Sequence, residues 1–141
     1  FPFSGVLISP IFAARKGMLG TTFGGNHLGC AAALAVLKII REEKLIENAL
    51  HTGMYLMQRL QELHSPLIKE IRGRGLMVGV ELTVPVKEVR EPLLFEERIF
   101  TGYSGQYTLR ILPPLILSTK EVDIFVGSLK KVLDEYYENS R

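Results

Sequence analysis

Residues 17–40 read "GMLGTTFGGNHLGCAAALAVLKII". Two adjacent threonines, Thr21 and Thr22, sit in a glycine-studded turn that runs straight into an almost wholly apolar segment. Asn26 is a good N-cap, and the pattern after it predicts a helix over about 27–43. Apolar residues occupy nearly every side of that helix as far as Ile40, so it is expected to be central. Hydroxyls and flexible backbone at the entrance of such a helix suit an anion. The first backbone N–H groups have no intrahelical acceptor and carry the positive end of the helix dipole. Gly20, Gly24 and Gly25 let backbone approach a ligand, and each hydrogen bond to a charged oxygen contributes about 1.5–3 kcal/mol. A tight Gly-Gly turn that the threonines merely satisfy is the other reading, and both stay open on chemistry alone. The loop holds no lysine and does not fit the G-x-x-x-x-G-K-[ST] phosphate loop.

Working outward, "GVLIS" at 5–9 reads as a short buried strand stopped by Pro10, with no obvious partner strand in the chain. Downstream, Leu45, Ile46, Ala49, Leu50, Gly53, Leu56, Met57, Leu60 and Leu63 form one stripe of an amphipathic helix that Ser65-Pro66 ends. "LIKEIRGRG" and "LMVGVELTV" predict an antiparallel pair around a turn shaped by Gly73 and Gly75. Residues 86–96 have a helical pattern, but Pro92 is expected to break or start a helix there. "RIFTGY" and "YTLRILPP" read as two short strands. The segment from Thr119 to Glu138 reads as a closing amphipathic helix capped by Ser118 or Thr119. The order implies an α+β fold, a small mainly antiparallel sheet covered on one side by helices.

The 141 residues fit one domain, and 47 % apolar against 23 % charged residues is ordinary for a globular protein. A formal charge of +2 implies neither a nucleic-acid nor a membrane surface, and no apolar run is long enough for a span. The single cysteine, Cys30, excludes an internal disulfide and suits a reducing, cytoplasmic compartment. His51 and His64 have no metal-ligand spacing around them, and His27 reads as a cap-region residue at the helix start, so no metal is expected. "RGRG" at 72–75 is a single copy without aromatic repeats, a turn rather than an RNA-binding tract. The chain opens on Phe1-Pro2-Phe3 and enters a strand-like run at once, as a piece of a longer polypeptide would. Arg110 stands inside an apolar strand before Pro113-Pro114. A buried guanidinium needs a partner, and its planar fork suits either a substrate carboxylate or a nearby glutamate.

Three collinear blocks, "LGTTFGGNHLGCAAALAVL", "IKEIRGRGLMVGVEL" and "LRILPPLILS", resemble the C-terminal part of the class III (ornithine-type) pyridoxal-phosphate aminotransferases. The likeness runs from Phe1 to about Leu133, and the acetylornithine branch looks nearest. It implies a fold-type I transferase, with residues 1–25 a remnant strand and loop of the large cofactor domain and 26–141 the small C-terminal α+β domain. It further implies a homodimer in which Thr22 binds the phosphate of the partner's pyridoxal 5'-phosphate, Thr21 lies near that phosphate and the substrate, and Arg110 holds a substrate carboxylate. The lysine that carries the cofactor would lie upstream of Phe1, so no catalytic residue is expected in this chain, and the fragment alone is expected to be inactive. The implied reaction moves an amino group from N-acetylornithine to 2-oxoglutarate, in arginine biosynthesis. The alternatives are a class III enzyme for ornithine, succinylornithine or 4-aminobutyrate, or a non-catalytic α+β interaction domain.

Overall fold

A computed structural model of the chain describes residues 2–13, 15–18 and 20–140; Phe1 of the opening segment and Leu19 of the threonine loop lie outside them. It divides into two compact units, residues 1–44 and residues 45–141.

Among the described residues the first unit holds one helix, α1 (His27–Glu42). Asn26 caps it as its sequence predicts: the Gly29 N–H donates to Asn26 Oδ1 at 2.7 Å. Two expectations fail here. Residues 2–9 form no strand, and Val6, Leu7 and Ile8 are exposed. A strand exists only through the neighbour that completes its hydrogen bonds, and the four described strands all pair among themselves in the second unit. Nor is α1 central, because Gly29 is its one buried residue and Leu28, Leu34, Val36, Leu37 and Ile39 are exposed. Apolar residues on every side state what a helix can bury against, and burial itself requires a second surface.

The second unit is a four-stranded antiparallel sheet with helices on one face. Helix α2 (Leu45–Gln61) leads into β1 (Ile68–Arg74) and β2 (Met77–Leu82), then α3 (Val86–Phe95), β3 (Gly102–Ser104), β4 (Thr108–Ile111) and α4 (Thr119–Asn139). The spatial order is β1-β2-β4-β3. The hairpin β1–β2 is the pair predicted from its glycines, turning at Gly75, whose φ of 55° favours a residue without a Cβ. Val78, Val80, Leu82, Leu109 and Ile111 alternate into the core, where they meet Leu56 and Leu60 of α2 and Val122, Val126, Leu129 and Leu133 of α4. The predicted stripe on α2 is mostly right, but Ile46 and Leu50 are exposed.

Helix α3 runs through Pro92, against expectation. Pro92 removes one N–H near the C-terminal end, yet its own carbonyl still accepts from the Glu96 and Glu97 N–H groups, and Val89 and Leu93 are fully buried. Packing of that apolar face outweighs the lost bond. Strand β3 begins at Gly102 rather than Arg98, because Arg98 sits at φ 58° and the Ile99 N–H turns back to the Leu93 carbonyl. The last helix has a complete capping box: the Glu121 N–H donates to Ser118 Oγ while the Ser118 N–H donates to the Glu121 carboxylate.

Candidate functional site

The face of the sheet turned away from the helices carries Gly79 and Glu81 of β2, Thr108 and Arg110 of β4 and Gly102 of β3. Arg110 is exposed here, which corrects the expectation of a buried guanidinium: the strand alternation turns Leu109 and Ile111 inward and Arg110 outward. Register places a glycine directly beside it on each neighbouring strand, Gly79 on β2 and Gly102 on β3. The side chain leans over β3, since a Cβ on Gly102 would stand 3.0 Å from Arg110 Nε and 3.3 Å from Nη2.

Among the described residues Arg110 has no ion-pair partner. Lys69 and Arg72 share Glu81 on the same face at 2.8 Å each, and Arg72 also reaches Glu70 at 3.0 Å. Hydrogen bonds from Lys69 and then Arg72 hold the Glu81 carboxyl below the usual range. Glu121, the other charged residue lining the cavity beside Arg110, is committed to the helix cap by bonds of 2.7 and 2.8 Å from the Ser118 N–H and hydroxyl. Those bonds, the backbone one first, lower its pKa. The nearby-glutamate reading of Arg110 therefore finds no partner among the described residues.

That cavity, about 390 Å³, is otherwise walled mainly by apolar side chains, among them Ile99, Leu112, Val122 and Phe125. The loop at its rim is held by Arg90 of α3, a residue the sequence gives no reason to single out. Arg90 Nε donates to the Thr101 carbonyl at 2.8 Å, and its guanidinium lies over the rings of Phe100 and Tyr103, 5.8 and 5.0 Å from their centroids. The signal is spatial: the two ends of the clamp belong to different elements, and neither is a recognised pattern.

In the first unit Thr21 and Thr22 lie exposed in the loop before α1, and neither hydroxyl is engaged by a described residue. The backbone N–H groups of His27 and Leu28 likewise have no acceptor among the described residues, whereas Asn26 takes that of Gly29. Gly24 packs against the Thr21 side chain, where an added Cβ would collide with Cγ2. The donors and open backbone that a phosphate requires are thus present and unspent. Among the described residues no group of three His, Cys, Asp or Glu side chains could hold a metal ion, and no helix is long and apolar enough to cross a membrane.

The pattern of these residues matches one family model, Aminotransferase class-III, over residues 2–133. The ornithine aminotransferase of Brevibacillus brevis is 38 % identical over 135 residues, covering 94 % of this chain and 34 % of that protein. The ornithine aminotransferase of Bacillus subtilis is 41 % identical over 119 residues, 84 % of this chain and 29 % of its own length. The crystal structure of the ornithine aminotransferase from Toxoplasma gondii superposes with a TM-score of 0.82 at 31 % identity, covering 89 % of this chain and 31 % of that one. The chain belongs to the class III aminotransferases. Its α+β fold is that of the C-terminal domain of fold-type I transferases. It spans about a third of the length of the curated relatives it matches.

Proposed function

We propose that this chain is the C-terminal part of a homodimeric, pyridoxal-phosphate-dependent transaminase that takes an amino group from ornithine and passes it to a 2-oxo acid such as 2-oxoglutarate. Family membership supports the reaction class, and the names of the relatives support ornithine as donor over the N-acetylornithine of arginine biosynthesis that the sequence reading favoured. Membership in a catalytic family also counts against a non-catalytic interaction domain. We keep residues 1–25 as belonging to the large domain and 26–141 to the small one.

The observation that carries the proposal is the unpaired guanidinium of Arg110 on the open sheet face between two glycines. An ionised group without a carboxylate of its own, flanked by a glycine on each neighbouring strand, can bind a planar two-oxygen ligand through parallel N–H bonds. Arg110 thereby orients the substrate by its carboxylate. Thr22, with the free N–H groups opening α1, holds the phosphate of the cofactor belonging to the other subunit, and Thr21 stands near that phosphate and the substrate. When bound, pyridoxal phosphate supplies the electron sink for breaking the C–H bond beside the migrating nitrogen.

The test is Arg110→Ala in the complete enzyme. KM for the oxo acid should rise at least tenfold, since a charged hydrogen bond contributes about 1.5–3 kcal/mol, while the cofactor stays bound. An unchanged KM would remove the anchor role. Turnover of ornithine compared with N-acetylornithine decides the donor.

A further inference from the structure

The structure assigns a positioning role to Gly102: by lacking a side chain, and by being held in place by Arg90, it determines where the guanidinium of Arg110 lies. This rests on the reading of Arg110 as the carboxylate anchor and deepens it.

Side chains directly opposite one another on antiparallel strands have Cβ atoms about 4.5–5.5 Å apart, so the neighbours of Arg110 decide which way its long side chain can fall. Both neighbours are glycines, but they are not equivalent. A Cβ on Gly79 would meet Thr108 Cγ2 at 3.3 Å and Arg72 Cγ at 3.9 Å, and Arg110 is not among its nearest atoms. A Cβ on Gly102 would meet Arg110 Nε at 3.0 Å, with Nη2 and the Arg110 carbonyl oxygen each at 3.3 Å. The guanidinium therefore occupies the space that any larger residue at 102 would claim. No ion pair with a described residue fixes it from another direction, so its position depends on that space staying open.

Gly102 is in turn fixed by its flanks. Arg90 grips the Thr101 carbonyl and the rings of Phe100 and Tyr103, which are the two residues before Gly102 and the one after it. Strand β3 is three residues long and, among the described residues, pairs only with β4, so the clamp from α3 supplies the restraint that a longer ladder would give.

An alanine at 102 meets Arg110 Nε first, at 3.0 Å, and then Nη2 and the Arg110 carbonyl oxygen, each at 3.3 Å. The flexible side chain gives way, and alanine's smaller loss of backbone freedom in a strand offsets the slight shift that the carbonyl contact asks of the β3–β4 backbone. The effect should appear in carboxylate binding and not in stability. Losing a charge-assisted hydrogen bond outright costs roughly tenfold or more in affinity, so a shift of the guanidinium that weakens such bonds without breaking them corresponds to about three- to tenfold.

The experiment measures the dissociation constant of glutarate, an unreactive dicarboxylate, and the thermal midpoint for the complete enzyme and its Gly102→Ala, Arg110→Ala and doubly substituted variants. The expected result is glutarate binding weakened about three- to tenfold by Gly102→Ala at an unchanged midpoint, and no further weakening by Gly102→Ala once Arg110 is alanine, because coupled residues are not additive. If Arg110→Ala weakens glutarate but Gly102→Ala does not, the positioning role is wrong and the anchor stands. A loss from Gly102→Ala that persists in the Arg110→Ala background also overturns the positioning role. If Arg110→Ala leaves glutarate binding intact, the anchor fails and the positioning role fails with it.

Discussion

Gly53→Ala should destabilise the protein, although glycine-to-alanine inside a helix ordinarily stabilises by about 1 kcal/mol. Gly53 lies in the interior of α2 and is buried against the β1–β2 turn. A Cβ there would stand 2.7 Å from the Gly75 Cα and closer still to the Gly75 carbonyl. Carbon atoms rest at about 3.5–4.0 Å, so the helix and the hairpin would have to part by roughly 1 Å. Neither side can yield by rotating a side chain, since both are backbone, which places the cost near the upper end of the usual overpacking range of about 1–3 kcal/mol. Against the propensity gain of about 1 kcal/mol, the net is a loss of about 2 kcal/mol. For a unit of this size that lowers the melting midpoint by on the order of 10 °C. Gly127 in α4 is the control: it is exposed, a Cβ there meets nothing within 4 Å, and Gly127→Ala should stabilise by about 1 kcal/mol. Thermal unfolding followed by circular dichroism reads both. A Gly53→Ala midpoint at or above the parent's would refute the close helix–hairpin contact.

Other outcomes follow from the same geometry. Ser118→Ala removes one half of the capping box and should cost about 1 kcal/mol in urea unfolding; a cost within error of zero would mean that the last helix does not depend on its cap. Acid should destabilise the second unit. The carboxyls of Asp123, held by Arg59 and then Tyr55, of Glu81, held by Lys69 and then Arg72, and of Glu97, held by Lys131 and then Ser128, all titrate below their ordinary range. A depressed folded-state pKa contributes stability above the unfolded value, about 4, and that contribution disappears as pH falls through the folded pKa. The melting midpoint should therefore hold from pH 7 to about 5 and fall below about 4. Glu81→Gln should make that fall shallower, and an identical pH profile for Glu81→Gln would exclude the pair network as a contributor.

What could be read in advance was whatever neighbouring residues decide among themselves. Asn26 three residues before Gly29, and Ser118 three before Glu121, are complete local devices, and both caps form. The hairpin turns at a glycine because only the turn's own backbone angles are at stake. Whatever depended on a remote surface was less legible. The apolarity of α1 and of residues 5–9 announced burial, but not the partner that would provide it. Pro92 sits inside a helix because Val89 and Leu93 pack beneath it, and nothing in residues 86–96 records that packing. The outward face of Arg110 is set by the strand alternation, which the run of apolar neighbours concealed. The glycines beside it, and the Arg90 clamp on their strand, become visible only once register is known. A glycine within the stripe of α2 was the one available hint of close contact with the hairpin.

By the proposal, the exposed hydroxyls of Thr21 and Thr22 and the unpaired guanidinium of Arg110 serve the active sites of a complete enzyme. The most direct measurement is a crystal structure of the complete holoenzyme with an oxo acid or dicarboxylate bound. The account predicts the Thr22 hydroxyl within about 3 Å of a phosphate oxygen on the cofactor of the partner subunit, and the Arg110 guanidinium at a similar distance from the ligand carboxylate. A phosphate held wholly within one subunit, with Thr22 remote from it and Arg110 turned to solvent, would contradict it.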